Sequence, residues 1–257
     1  MKKSIRIFAQ SVMLAATIFL QACDDDSESK NVTPMASTTL KIKAVTNESS
    51  FGNERTEATG LIFKEAFLGV TEIEFETLEE ENIEDEGGFE DLDQDGEADD
   101  EEIEFEGTFV IDLIDESSEP EIDIAELSPA IYDEIEFEVM PVLSDDKTMI
   151  VTFEYLPDGA TEATMVEYSN NFELEIELEA GKGFNLKQDY LNKLLVIINL
   201  DELFADMNLE NAEVDDDDII RINNSSNASI ALAIANNFQG AIHSGKDDNN
   251  DGQIDVE

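Results

Sequence analysis

The sequence predicts an all-β chain, an antiparallel β-sandwich with a short C-terminal helix, and three observations carry that reading. Apolar and polar residues alternate with a period of two through most of the chain after residue 37, the mark of half-buried strands. Turn-forming clusters separate several of these segments: Ser118-Glu119-Pro120, Leu156-Pro157-Asp158-Gly159 and Gly181-Lys182-Gly183. Only two segments have helical spacing, and no repeat of solenoid or propeller length is present. Many short alternating strands with few helices fit two packed antiparallel sheets. With 257 residues, 41% of them hydrophobic, the chain has the material for one generous core.

Taken in order, strands are expected at 39–45 and 60–69, followed by Ile73 and Phe75 alternating with Glu72, Glu74 and Glu76. The clearest strand covers residues 102–113. There Ile103, Phe105, Phe109, Ile111 and Leu113 share one face, opposite Glu102, Glu104, Glu106, Thr108 and Asp112. Further strands are expected at 120–125, at 134–139 (Ile135, Phe137 and Val139 against Glu134, Glu136 and Glu138), at 148–156 and at 162–168. Residues 172–179 repeat the pattern, with Phe172, Leu174, Ile176 and Leu178 against Glu173, Glu175, Glu177 and Glu179. Strands at 194–200 and 219–223 complete the set. A turn or two of helix fits 201–207. Residues 226–238 make the better helix: Ile230, Ile234 and Phe238 share a face, Ser226 or Asn227 caps the start and Gly240 ends it.

The first 23 residues read as an address. Lys2, Lys3 and Arg6 precede a short apolar run over residues 7–20, too short to span a bilayer and typical of a secretory signal. It ends in Leu20-Gln21-Ala22-Cys23, which resembles a bacterial lipobox. The resemblance implies cleavage before Cys23, with acyl chains on its sulfur and its new amine, enough for stable anchoring in a membrane. Cys23 is the only cysteine, so an internal disulfide and a cysteine-rich zinc site are excluded. The expected organisation is a signal peptide at 1–22, a lipidated Cys23 with an acidic flexible tether to residue 37, and a single β-sandwich over 38–257. Asp24, Asp25, Asp26 and Glu28 in the tether resemble the acidic export signal of surface-exposed Gram-negative lipoproteins. That places the protein at the outer membrane, with the cell surface favoured over the periplasmic face.

Charge narrows the partners. The chain carries 64 Asp and Glu against 14 Lys and Arg, a formal net charge of −50. Removing residues 1–22 takes away Lys2, Lys3 and Arg6 and no acid, leaving 11 basic against 64 acidic side chains, a net of −53. Phosphates would be repelled, so nucleic acid is not a partner. Rows of glutamate on strands are themselves a physical problem, because Glu is a poor strand former and like charges across a ladder repel. Salt or divalent cations would relieve them.

The sharpest chemical motif is residues 91–102, which match the twelve-residue calcium loop D-x-D-x-D-G-x5-E at every ligand position. Asp91, Asp93 and Asp95 supply side-chain oxygens, Glu97 a backbone carbonyl, Asp99 a direct or water-mediated contact, Glu102 a bidentate carboxylate, and Gly96 the sharp turn. Flanking helices are missing, so the expectation is an isolated calcium loop within an acidic segment, 79–102, between strands. A second loop at 247–255 fits the first nine positions, with Asp247, Asn249, Asp251, Asp255 and the carbonyl of Gln253 as ligands and Ile254 in the aliphatic position. Its twelfth ligand would have to come from elsewhere. The calcium expected at these loops is structural. The run Asp215, Asp216, Asp217, Asp218 lacks the glycine and reads as a solvated turn.

No catalytic constellation emerges. His243 is the sole histidine and has no nucleophile motif beside it, phosphate-cradling glycine loops are absent, and a carboxylate pair among 64 acids carries no information. The chain is read as non-enzymatic. With no Trp, a glycan platform would have to use Tyr132, Tyr155, Tyr168 or Tyr190.

From Phe105 onward, Glu106-Gly107-Thr108-Phe109-Val110-Ile111-Asp112-Leu113 and Ile131-Tyr132-Asp133-Glu134-Ile135-Glu136-Phe137 resemble strands of a group of Gram-negative outer-membrane lipoproteins of unassigned function. The terminal D-x-N-x-D-G-x-I-D is similar as well. The resemblance implies a transthyretin-like β-sandwich and brings no catalytic residues with it. The expected role is a lipid-anchored binding or envelope-architecture module, with a protein or glycan ligand unnamed. The alternative is a fimbrillin-like pilus or adhesin subunit that exchanges a strand near residues 39–45.

Overall fold

The structure, a computed structural model, describes residues 36–46, 61–77, 103–122, 125–127, 129–157, 159–188 and 190–255. Its strands are β1 (Ala36–Val45), β2 (Leu61–Thr77), β3 (Ile103–Asp112), β4 (Ser117–Glu119), β5 (Ala125–Leu127), β6 (Ile131–Val139), β7 (Met149–Tyr155), β8 (Thr164–Asn170), β9 (Leu174–Asn185), β10 (Leu191–Asn199), β11 (Ile219–Ile222) and β12 (Ile242–Lys246). Two short helices, α1 (Leu200–Leu203) and α2 (Ala228–Asn237), complete it. The all-β reading holds. A four-stranded sheet runs β12-β10-β1-β5, and an eight-stranded sheet runs β11-β8-β7-β2-β3-β4, with β6 and β9 continuing from the far half of β2.

One apolar core joins the two sheets. Ile42, Ala44, Leu194, Val196 and Ile198 from the smaller sheet meet Phe63, Leu68, Val70, Ile73, Phe75, Ile135 and Phe153 from the larger. Phe204, just beyond α1, seals one end. Its ring centroid lies 5.6, 5.1 and 5.5 Å from those of Phe63, Phe153 and Tyr168, separations that favour tilted aromatic packing. Ile230 and Ile234 of α2, and Phe238 just past its end, face this core, as their spacing predicts.

Most pairings are antiparallel, as expected, but β1 runs parallel to β10 and β11 parallel to β8. Parallel neighbours need long crossovers, which a period-two pattern does not reveal. The segments expected at 60–69 and 72–76 are one strand, β2, interrupted by register shifts between Phe63 and Glu65 and between Val70 and Glu72. Each bulge resets which residues face inward, so the alternation breaks although the strand continues. At Gly69, β2 changes partner: its N–H donates to the carbonyl of Thr148, and its carbonyl accepts from Met140. A side chain there would lie 2.7 Å from the Met140 carbonyl oxygen.

Three local expectations are corrected. The Gly181-Lys182-Gly183 turn is strand: β9 runs through it, with Gly183 at φ +72° beside the register shift in β6. Of the strand expected at 120–125, residues 120–122 are not strand; the described pairings there are the three-residue strands β4, which ends at Glu119, and β5, which begins at Ala125. Gly240 lies inside a short 3-10 turn, Gln239–Ala241, that follows α2, and α2 itself stops at Asn237. Asn227 does precede α2, but in left-handed backbone with φ 50° and without a capping bond. Its amide instead braces the chain, accepting from the Glu213 N–H and donating to the carbonyls of Glu213 and Arg221.

Candidate functional site: a glutamate lattice and a C-terminal aspartate loop

Where β3, β2, β6 and β9 lie side by side, their glutamates fall into register. Glu72 pairs with Glu106 on one side and Glu138 on the other, and Glu138 pairs with Glu175. The next row is Glu104, Glu74, Glu136 and Glu177. A third is Glu76, Glu134 and Glu179. The E-x-E-x-E period of each strand places its carboxylates on one face, with Ile73, Phe75, Ile135, Phe137, Ile176 and Leu178 buried on the other. Apolar burial on the inner face thus fixes a grid of carboxylates on the outer one. Strands spaced about 4.8 Å apart set its short repeat, and residues two apart along a strand set its long repeat, about 6.8 Å.

The glutamates of the two inner strands, β2 and β6, are half-buried, and those of the flanking β3 and β9 are exposed. Burial is the main cause that pushes Glu136 up to about 7, followed by the neighbouring Glu175, Glu74, Glu76 and Glu134 carboxylates. Glu134 is raised too, by burial first and then by Glu76, Glu177, Glu179 and Asp133. Among the described residues, carboxylate oxygens of Glu74, Glu76 and Glu136 lie within 4.8 Å of one another. Calcium holds oxygens at about 2.3–2.6 Å, so three oxygens that close can touch one ion. Thr71, at the bulge, donates its hydroxyl to Glu138 at 2.6 Å.

The second expected calcium loop has an ordered turn system. Asp247 is buried, and its two oxygens accept the N–H groups of Asp251 and Gly252 at 3.0 and 3.1 Å. Asn249 Oδ1 accepts from Asp251, and Asp251 Oδ1 from Gln253. Asp255 accepts from the backbone N–H of Asp248 and from the Asn249 side-chain amide. The loop thus brings Asp247, Asn249, Asp251 and Asp255 into one hydrogen-bonded unit, with Gln253 in its path. Ile254 packs on Gly245 of β12, where a methyl group would collide with it. Lys43 Nζ donates to the Gly252 carbonyl at 2.5 Å, and Lys193 Nζ to Asn250 Oδ1 at 2.8 Å.

The first loop, with Asp91, Asp93, Asp95, Glu97, Asp99 and Glu102, lies outside the described residues, as does Cys23. His243 is exposed, with its Nε2 3.3 Å from Glu202 Oε2. Of the tyrosines, Tyr132 and Tyr168 are fully buried in the core and present no face to a sugar, while Tyr190 is exposed. Asp215 is a turn residue as expected, accepting from the N–H groups of Asp217 and Ile219, and it pairs with Arg221. Among the described residues, no helix is long and apolar enough to cross a membrane.

Sequence reasoning found the glutamate faces but not their adjacency. The signal was available in the identical period of the segments at 72–76, 102–106, 134–138 and 173–179. Which of them are neighbours is set by topology. Comparison with known proteins returns no matching family, no matching curated sequence and no matching solved structure.

Proposed function

We propose that this is a non-enzymatic, lipid-anchored module of the bacterial cell envelope, and that it works through a cation-binding carboxylate face. The observation that carries the reading is the register of the glutamate lattice. Most lattice glutamates stand across from another glutamate, which costs folding free energy unless something gathers on that face. Divalent cations, calcium foremost, suit hard oxygen ligands in this number. The loop at 247–255 is a second, structural calcium site in this reading, and Cys23 is the anchor.

Thermal unfolding of the mature chain tests it, in calcium, magnesium and sodium at matched ionic strength. A calcium-specific rise in Tm is expected through linkage. Glu74→Gln/Glu136→Gln removes the part due to the lattice, and Asp251→Ala the part due to the loop. Equal effects of all three salts would reduce both sites to screened acidic surface and end the calcium reading. Anchoring has its own check: Cys23→Ser releases the protein from the membrane fraction.

A strand-exchanging pilus or adhesin subunit is the second reading, favoured by the position of β1. This strand sits between β10 and β5, so its withdrawal opens an edge along β10 that a donated strand would fill. Removal of residues up to 45 then yields ladders on a denaturing gel; a chain that stays monomeric rules this out.

A further inference from the structure

Among the described residues, six large hydrophobic side chains are exposed, and three of them, Ile131, Tyr190 and Leu191, belong to one end of the sandwich. Tyr190 and Leu191 close the turn between β9 and β10, at 68% and 51% exposure. Ile131, the first residue of β6, pairs with Asn185, the last of β9, from which that turn departs. The same end receives the chain from its N-terminal side. Ser37 of β1 stands beside Leu191 in the parallel pairing of β1 with β10.

The turn is braced from inside by Asn192, which is buried. Its Oδ1 accepts the Lys187 N–H at 3.0 Å, and its amide nitrogen donates toward the carbonyls of Lys187, Tyr190 and Ser37 at 3.1, 3.4 and 3.3 Å. One side chain thus fixes the start of the turn, its apolar tip and the first residues of β1 to one another. Tyr190 and Leu191 are therefore presented outward on a turn already ordered, which lowers the entropy cost of any contact they make. A tyrosine with an apolar body and a polar hydroxyl suits the boundary between lipid and water.

We propose that this end is a lipid-facing foot, with Tyr190 and Leu191 dipping into the headgroup region of the bilayer that holds the anchor. This rests on the anchoring at Cys23 proposed above. Twelve residues, 24–35, join Cys23 to Ala36, and a chain of that length spans at most about 43 Å. The opposite end, where β10 runs into α1 and α2 packs on α1, lies about 26 Å further along β10. Tethering makes the contact intramolecular, so a few side chains of weak intrinsic affinity are enough. Charge does not drive it. Lys193 and Lys246 share this end with Asp247, Asp248 and Asp251 of the C-terminal loop, so the surface that fits is a zwitterionic headgroup layer and not an anionic one.

The chain has one cysteine and no tryptophan, which supplies a unique coupling point and a silent fluorescence background. The mature chain is coupled through Cys23 to a maleimide phospholipid in phosphatidylcholine vesicles, as Tyr190→Trp or, at the opposite end, as Leu232→Trp, where the parent side chain is 63% exposed. Lipids brominated along their acyl chains are expected to quench the emission of Tyr190→Trp and to leave that of Leu232→Trp unchanged. In a second measurement one myristoyl chain replaces the phospholipid, because its hold on a bilayer is marginal. Leu191→Ser is then expected to weaken vesicle binding about tenfold, and Leu232→Ser to leave it as in the parent. The proposal is overturned if Tyr190→Trp is not quenched, if both positions are quenched alike, or if Leu191→Ser binds as well as the parent. An emission shift at Tyr190→Trp without quenching overturns it too, and assigns the patch to a second copy of the chain. The coupling is chemical, so none of these outcomes depends on acylation in the cell; absence of an acyl label on Cys23 in cells would end the anchoring reading alone.

Discussion

The larger sheet has two halves joined by one strand, and their outer faces handle charge in opposite ways. Where the first part of β2 lies beside β7, β8 and β11, acids alternate with other residues. Glu154 lies 3.6 Å from Lys64, Arg221 Nε donates to Glu167 at 3.1 Å, and Thr152 stands across from Glu167. Where the second part of β2 lies beside β3, β6 and β9, glutamate faces glutamate, row after row. The same strand serves both regimes, and it changes partners at Gly69. The concentration of like charge is therefore a property of one half of one face. An acidic composition alone would have spread it over both.

The largest expected effect comes from removing what holds each half down. Phe75, under the lattice, and Phe153, under the mixed half, are both fully buried. Truncation of either to alanine is expected to cost about 3–5 kcal/mol, read by urea unfolding. A much smaller loss at Phe75 would mean that apolar burial is not what carries the lattice. At the junction, Gly69→Ala forces a methyl group against the Met140 carbonyl oxygen, which is backbone and has little room to yield. The expected cost is about 1–3 kcal/mol.

The halves differ next in their response to pH. Glu136 is raised in the folded protein from 4.5 to about 7, and Glu134 is raised as well. Between those two values the folded state holds protons that the unfolded chain has released, so stability falls as pH rises. This contribution is complete below 4.5 and lost above about 7. Burial of the Glu136 carboxyl sets it first, and then the charges of Glu175 on β9, Glu74 and Glu76 on β2, and Glu134 on β6. Tm measured across this window is expected to decline in the parent protein and to decline less in Glu136→Gln. A variant that keeps the full slope would move the cause elsewhere.

Much of this was legible in the sequence, and the exceptions have physical causes. Period-two patterning located most of the strands because one face of each is buried, as at Ile135 and Phe137. It missed the unity of β2, since bulges near Lys64 and Thr71 reset the alternation, and it misread 181–183, where glycine serves a bend within a strand. Local pattern carries no information about which strands adjoin, so the glutamate faces could be read while the lattice could not. The contact of Glu116 with Lys41 and Lys43 was invisible for the same reason, because β1, which carries both lysines, and the turn after β3, which carries Glu116, are far apart in the chain.

The smallest effect is expected in the mixed half and bears most directly on the contrast. Arg221 sits across from Glu167 and also reaches Asp215 and Asp217. These pairs are partly exposed, so Arg221→Met is expected to cost no more than about 1 kcal/mol, and less as salt is added. Arg221→Glu goes further, placing a glutamate directly across from Glu167 and copying the arrangement of the lattice at a single position. If like-charge pairing is tolerated wherever the opposite face is well buried, this variant should unfold only slightly below Arg221→Met in low salt and match it in high salt. If it unfolds far below, the lattice is tolerated by something specific to its own half. Calcium should then stabilise the parent protein while doing nothing for the new Glu167 pair, and that difference would tie the lattice to its ion.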